Sequence, residues 1–194
     1  DITMKDTEDY CPNDKKDWRR WLELNHQEKD AVWLIFHKKN TPNHNLSWSE
    51  SVDEALCFGW IDSTKKAIDS ERYKQYFSKR KVKSNWPKIN KDKVKVLIEL
   101  GLMKEEGYKS IDIAKENGSW AILDTVEALV IPKDLRDEFE NHQGSSEYFN
   151  QQNKSIKKIL LYWVVSAKRK VTRKKRILEI SENASNNLKP KQFR

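Results

Sequence analysis

The sequence predicts an α+β fold: a small antiparallel sheet of at least three strands packed with several helices, and a C-terminal half that is all helical. Three observations predict it. Residues 31–80 hold three runs rich in β-branched and aromatic residues, the composition that suits a pleated, half-buried surface. Beyond residue 90 the apolar residues recur instead at helical spacing, with Gly101 and Gly118 as stops. Finally, no Gly or Pro interrupts residues 154–182. The hydrophobic fraction, 37%, is low beside a charged fraction of 35%, but eight Trp, six Tyr and six Phe each carry much apolar area, so an aromatic core is expected.

After a polar arm, residues 1–12, the residues Trp18, Trp21 and Leu22 share a stripe and predict an amphipathic helix over 14–25. Residues 31–38, Ala-Val-Trp-Leu-Ile-Phe-His-Lys, are too few for a helical pattern and predict a central strand. A loop at 41–45 precedes Ser47-Trp48-Ser49-Glu50, the form in which hydroxyl and carboxylate reciprocally satisfy free backbone donors at a helix start. The helix it opens is expected over 48–58, burying Trp48, Val52, Ala55 and Leu56, with Gly59 as its end. Residues 60–68 and 72–80 predict two strands about a turn at 69–71. Asn90 is expected to cap a helix over 91–100, with Ile89 and Val94 closing a hydrophobic staple, Val94, Leu97 and Ile98 inward, and Gly101 as the left-handed stop. A helix through Tyr108, Ile111 and Ala114 should end at Gly118, and another begins after Pro132 with Leu135 and Phe139 inward. The last helix, 154–182, puts Ile156, Leu160, Trp163, Val164, Ala167 and Val171 on one side with a break near Thr172, and leaves 183–194 as a polar tail.

No repeat or low-complexity linker divides the chain, and 194 residues suit one core, so a single domain over 1–194 is expected. No uncharged apolar run approaches bilayer length, and the first residues lack a signal peptide's apolar region, which predicts a cytoplasmic chain with no membrane insertion. Cys11 in the polar arm and Cys57 in an apolar run fit a reducing compartment without a disulfide. The four His show no ligand spacing and no phosphate-binding or dinucleotide glycine loop occurs, so neither metal nor cofactor is expected. A net charge of +8 favours acidic partners, because a basic protein releases counterions on binding a polyanion.

Three clusters carry candidate chemistry. In Cys57-Phe58-Gly59-Trp60-Ile61-Asp62-Ser63 and Phe77-Ser78-Lys79-Arg80, a three-residue turn sets Asp62 opposite Arg80 beside Trp60, whereas a slip of one residue sets Asp62 opposite Lys79. The pair reads as a sheet salt bridge packed on an indole or as part of a ligand site. Arg80, Ser84 and Trp86 in the basic loop 80–90 combine cation, hydroxyl and ring, the groups of a phosphate or single-stranded nucleic-acid site. The structural alternative is a capping Asn90 and a Trp86 that plugs the core. Arg169, Thr172, Arg173 and Arg176 fall at i, i+3, i+4 and i+7, a stripe able to lie along phosphates or to stand as a solvated helix face. Cys57, in apolar surroundings with no His nearby in sequence, is a poor nucleophile, and the adjacent Asp53 and Glu54 diverge on a helix, so no catalytic residue is assigned.

Several blocks follow one another along nearly the whole chain: Trp21-Leu22-Glu23-Leu24-Asn25-His26; Glu54-Ala55-Leu56-Cys57-Phe58-Gly59-Trp60-Ile61-Asp62-Ser63; Arg80-Lys81 with Ser84, Trp86 and Asn90; Gly101-Leu102-Met103; Ala114-Lys115 with Gly118 and Trp120; and Trp163 with Ala167-Lys168-Arg169 and Thr172-Arg173-Lys174-Lys175-Arg176-Ile177. In this order they resemble the YdeI/OmpD-associated family of bacterial proteins, also called bacteriocin-protection proteins. Lys79 stands where that family usually has Pro before the Arg, and Pro87 where Ser usually follows the Trp. The resemblance implies an intracellular bacterial protein linked by name to protection against bacteriocins or to envelope stress, and implies no substrate, activity or catalytic residue. From the residues themselves, the leading expectation is a non-enzymatic binding module. In it Trp60, Asp62, Arg80, Ser84 and Trp86, with the stripe of Arg169, Thr172, Arg173 and Arg176, recognise a nucleic acid or a phosphate-bearing small molecule. The rivals are an enzyme acting on a small anionic substrate, with Asp62 as general base positioned by Arg80, and a protein-interaction or regulatory role in a stress response.

Overall fold

The computed structural model describes residues 3–194, and their contacts fall into two units, one ending at Trp120 and the other Ala121–Arg194. The division lies at Ser119-Trp120-Ala121, with no Pro or low-complexity stretch to mark it in a sequence read as one span, 1–194.

In the first unit, the Asp14 carboxylate accepts from the Asp17 backbone N–H and opens α1 (Lys15–Asn25), which buries Trp18, Trp21 and Leu22 as its stripe requires. The three expected strands form: β2 (Ala31–His37), β3 (Trp60–Ala67) and β4 (Arg72–Lys79), with β4 antiparallel to both neighbours. A fourth, β1 (Asp9–Tyr10), lies in the stretch read as a polar arm and pairs parallel with β2, so the sheet is mixed, in the order β1-β2-β4-β3. Two residues hold no periodicity to read. Val32, Leu34 and Phe36 of β2 and Phe77 of β4 join Trp18, Leu22, Val52, Leu56 and Trp60 in one core.

Helix α2 (Trp48–Cys57) starts on the full capping box of Ser47 and Glu50. Trp48, expected inside, is 40% exposed. As the first helical residue it lies beyond the Val52–Ala55–Leu56 stripe, and its indole N–H donates instead to the Asp62 carboxylate across the α2–β3 corner. The β3–β4 register corrects the expected pairing: Asp62 lies opposite Phe77 and Trp60 opposite Lys79, with a bulge between Asp62 and Lys65. The hairpin closes at Ala67 and Tyr73, a register that alone sets Asp62 opposite Ser78, two residues short of the expected Arg80; the extra residue of the bulge moves Asp62 one further, to Phe77, and leaves Arg80 beyond the last pair.

Helix α3 (Lys88–Glu99) begins three residues before its expected start, with Pro87 as N-cap. Asn90 is therefore buried in the first turn and caps nothing, while Ile89 turns to solvent, 52% exposed, so no staple closes. Ile98 is exposed too, and Val94 and Leu97 alone face inward. Helix α4 (Glu105–Asn117) buries Ile111 and Ala114 and ends on the left-handed Gly118 as its sequence predicts.

The second unit is helical: α5 (Ile122–Glu127), α6 (Lys133–Glu140), α7 (Ser145–Gln151), α8 (Lys154–Val165) and α9 (Lys170–Ser185). Its core holds Leu135, Phe139, Phe149, Leu160, Leu161, Val164, Ile177 and Ile180. Six- and seven-residue helices such as α5 and α7 are too short to show a period. The long helix expected over 154–182 is two, broken at 166–169 rather than near Thr172. Because the break resets the phase, Val171, placed inward by a continuous helix, is 80% exposed. The expected polar tail is partly helical, since α9 runs to Ser185, and Phe193 packs edge-on against Trp163 at 5.2 Å.

Candidate functional site

Arg80 follows β4, and the loop after it folds back on the guanidinium. Nη1 donates to Ser84 Oγ at 3.2 Å and to the Asn85 carbonyl at 2.9 Å, while the guanidinium lies 3.7 Å over the Trp86 ring. The structure thus brings Arg80, Ser84 and Trp86 together. Trp86 is 1% exposed and packs on Trp120, so it is a core ring and no platform for a base. Nε and Nη2 of Arg80 are shielded from solvent and lack a partner. Burial pushes the guanidinium pKa down to about 10, against a smaller opposing pull from the Asp62 charge. Unbonded buried donors cost about 1–3 kcal/mol each.

Asp62 is not the partner of Arg80. Its Oδ2 accepts from Trp48 Nε1 at 2.8 Å and from Gln75 Nε2, and among the described residues it forms no ion pair. Trp60 is fully buried, edge-on to Trp21, with its indole N–H aimed at the His26 carbonyl. Burial pushes the Cys57 thiol up to about 11, in keeping with a poor nucleophile.

A cleft of about 380 Å³ opens beside these residues, lined among others by His26, Phe58, Gly59, Lys79, Arg80 and Lys109. Gly59 shapes it. With φ at +72° and the carbonyl oxygen of Glu106 only 2.7 Å from where a Cβ would stand, it lets the first turn of α4 reach the α2–β3 corner. Asp62 does not line this cleft, so the geometry that a general base positioned by Arg80 requires is not formed there. Two of its cations are matched locally: Lys79 with Asp30 at 3.3 Å, and Lys109 with Glu106 at 3.0 Å.

In the second unit, ten Lys and Arg and no Asp or Glu lie between Lys154 and Leu178. Two members of the predicted stripe are used within the unit. Arg173 binds Asp134 of α6 with two hydrogen bonds, Nε to Oδ2 at 2.7 Å and Nη2 to Oδ1 at 2.9 Å, which hold the Asp134 carboxyl below its ordinary range. Arg176 donates to the Trp163 carbonyl at 2.7 Å and lies over that ring at 5.3 Å. Arg169 is exposed at the N-cap of α9, outside the helix, and Thr172 is half-buried. The first buried residue of α9 is Ile177. Lys168, Lys170, Val171, Lys174 and Lys175 stand in solvent beside Arg169, and the five cations have no ion-pair partner among the described residues. Their grouping follows from a helix that starts at Lys170, so the break at 166–169 was the missing signal.

Two families match. The one described as Domain of unknown function (DUF8412) matches residues 10–110, just over half of the chain. The chain belongs to this family. Within this DUF8412 member the match covers the sheet, α1 to α3 and the Cys57–Ser63 block, whereas the family described as Bacteriocin-protection, YdeI or OmpD-Associated matches residues 128–187, the stretch from α6 to α9. The resemblance read from the sequence is therefore supported over the C-terminal helices, where Trp163 and the run from Ala167 to Ile177 lie. No curated protein and no solved structure matches the chain.

Proposed function

We propose that the protein is a non-enzymatic, cytoplasmic binding module that takes a nucleic acid along the basic surface of α8 and α9. One observation carries this reading: ten cations with no acid over residues 154–178, of which Lys168, Arg169, Lys170, Lys174 and Lys175 are exposed together and unpaired. Several cations elsewhere sit beside acids, as Lys93 does with Asp53 at 2.7 Å and Lys74 with Asp9 at 3.0 Å, and such local matching cancels the field a polyanion responds to. An unmatched cluster keeps it. Each phosphate neutralised releases condensed counterions, so affinity falls with salt by about 0.9 log units per log unit for every contact made.

The test is fluorescence anisotropy of labelled oligonucleotides titrated with the protein at several salt concentrations. Saturable binding with a steep salt slope is expected, and Lys174→Gln with Lys175→Gln should reduce that slope by roughly two. Absence of binding at low salt, or a slope that ignores the double substitution, sinks the proposal. A second reading is favoured by the two unpartnered donors of Arg80, a residue that lines the first unit's cleft: a small oxyanion that enters there and displaces the cover over Nε and Nη2 would supply the acceptor they lack.

A further inference from the structure

Building on that nucleic-acid reading, we infer that α8, the turn at 166–169 and α9 form a helix-turn-helix whose second helix enters the major groove of duplex DNA. The four residues between Val165 and Lys170 match the short turn of that motif, and the two helices share the core through Leu161, Val164, Ile177 and Ile180. Counted from its start, α9 exposes its first, second, fifth, sixth and ninth residues: Lys170, Val171, Lys174, Lys175 and Leu178. Val171, Lys175 and Leu178 fall on one side of the helix, and Lys170 and Lys174 on its flank, between them and the buried stripe of Ile177, Ile180 and Ala184. The N-terminal residues of a recognition helix are the ones that contact base edges.

The beginning of α9 is both free and held. None of its first seven residues is fully buried, and at a rise of about 1.5 Å per residue they extend about 10 Å, a length that a major groove about 12 Å wide accepts. Arg173 on Asp134 and Arg176 on the Trp163 carbonyl fix the direction in which that segment points, making both positioning residues. The exposed face has no aromatic side chain, so it lacks the stacking platform on which single strands are held and is suited to a groove. Val171 stands 80% exposed on a helix that gains nothing from it in the free chain, and a thymine methyl in the groove is the apolar contact it lacks. Basic residues in the first turn, with no acid, oppose the helix dipole until a phosphate arrives.

The test is selection of bound duplexes from a random-sequence DNA library by the full chain, followed by sequencing. A single enriched motif is expected, preferred over random duplex by at least roughly tenfold. Val171→Ala should relax one position of that motif while thermal melting and random-duplex affinity stay close to wild type, since Val171 is solvent-exposed and uncharged, whereas Lys174→Ala should relax a position and also weaken random-duplex binding, with a salt slope lower by roughly one. Salt-dependent binding without an enriched motif, a motif unchanged in both variants, or tighter binding of single strands or RNA than of duplex would overturn the recognition helix and leave the polyanion reading standing. No binding of any nucleic acid would remove both.

Discussion

At Arg80 the guanidinium stacks on Trp86 and donates only through Nη1, in surroundings that push its pKa down to about 10. A folded-state value below the ordinary guanidinium range means that the folded chain holds this proton less tightly than the unfolded one. The buried charge is thus a full cost below about pH 10, and the cost shrinks as the pH rises from there towards the ordinary guanidinium pKa. Arg80→Met removes charge and unbonded donors and keeps an unbranched stem against Trp86, at the loss of the bonds to Ser84 and Asn85. These changes oppose one another, so the variant should unfold within about 1 kcal/mol of wild type in phosphate-free buffer. Inorganic phosphate should raise the melting temperature of wild type and not of Arg80→Met; an equal rise in both would discard the small-oxyanion reading and leave Arg80 as a clamp on its loop. Arg80, Ser84 and Trp86 were legible as a group because seven residues of chain hold them together. Asp62 was not, since its neighbours Trp48 and Gln75 depend on a bulge that no local pattern announces.

Gly107 lets two helices meet backbone to backbone. A Cβ there would collide with Met103 Sδ and with the carbonyl oxygen of Cys57, the last residue of α2, beside which the Lys104 N–H donates to that same oxygen at 2.9 Å. Met103 can shift but the α2 backbone cannot, so Gly107→Ala should cost at least about 2 kcal/mol. Gly101→Ala, left-handed but facing open space, should cost about 1 kcal/mol. Urea midpoints with an unchanged slope give both values; a Gly107→Ala loss no larger than that of Gly101→Ala would contradict the close approach of α4 to α2. Elements whose signals are local were legible: the Ser47–Glu50 box, the Trp18–Leu22 stripe and the Gly118 stop. The start of α3 was not, because Asn90 is as good a cap by type as Pro87 is by its fixed φ. The 166–169 break contains neither Gly nor Pro, which hid the start of α9.

The net charge of +8 is visible in the sequence, but its distribution depends on the fold. Residues 121–194 hold fifteen Lys and Arg against nine Asp and Glu, a net +6, and the acids lie mostly before Lys154. Placing that charge required the division at Trp120, and separating spent cations from free ones required knowing that Arg173 faces Asp134 and Arg176 the Trp163 carbonyl. The predicted stripe therefore lay on the right helix, while the residues it named there are partly structural and the exposed lysines beside them carry the field. A polyanion drawn to the unmatched cluster should leave its mark on that segment alone. Amide hydrogen exchange with a duplex oligonucleotide bound should slow over 166–178, where α9 begins with backbone N–H groups still free of helix partners. Exchange in β2 and β4, whose amides are paired inside a sheet remote in sequence from the charge, should not change. Protection over 79–91 instead would move the contact to Arg80, Lys81, Lys83 and Lys88 and make the basic loop of the first unit the nucleic-acid surface, since that segment carries the next longest run of cations in the chain.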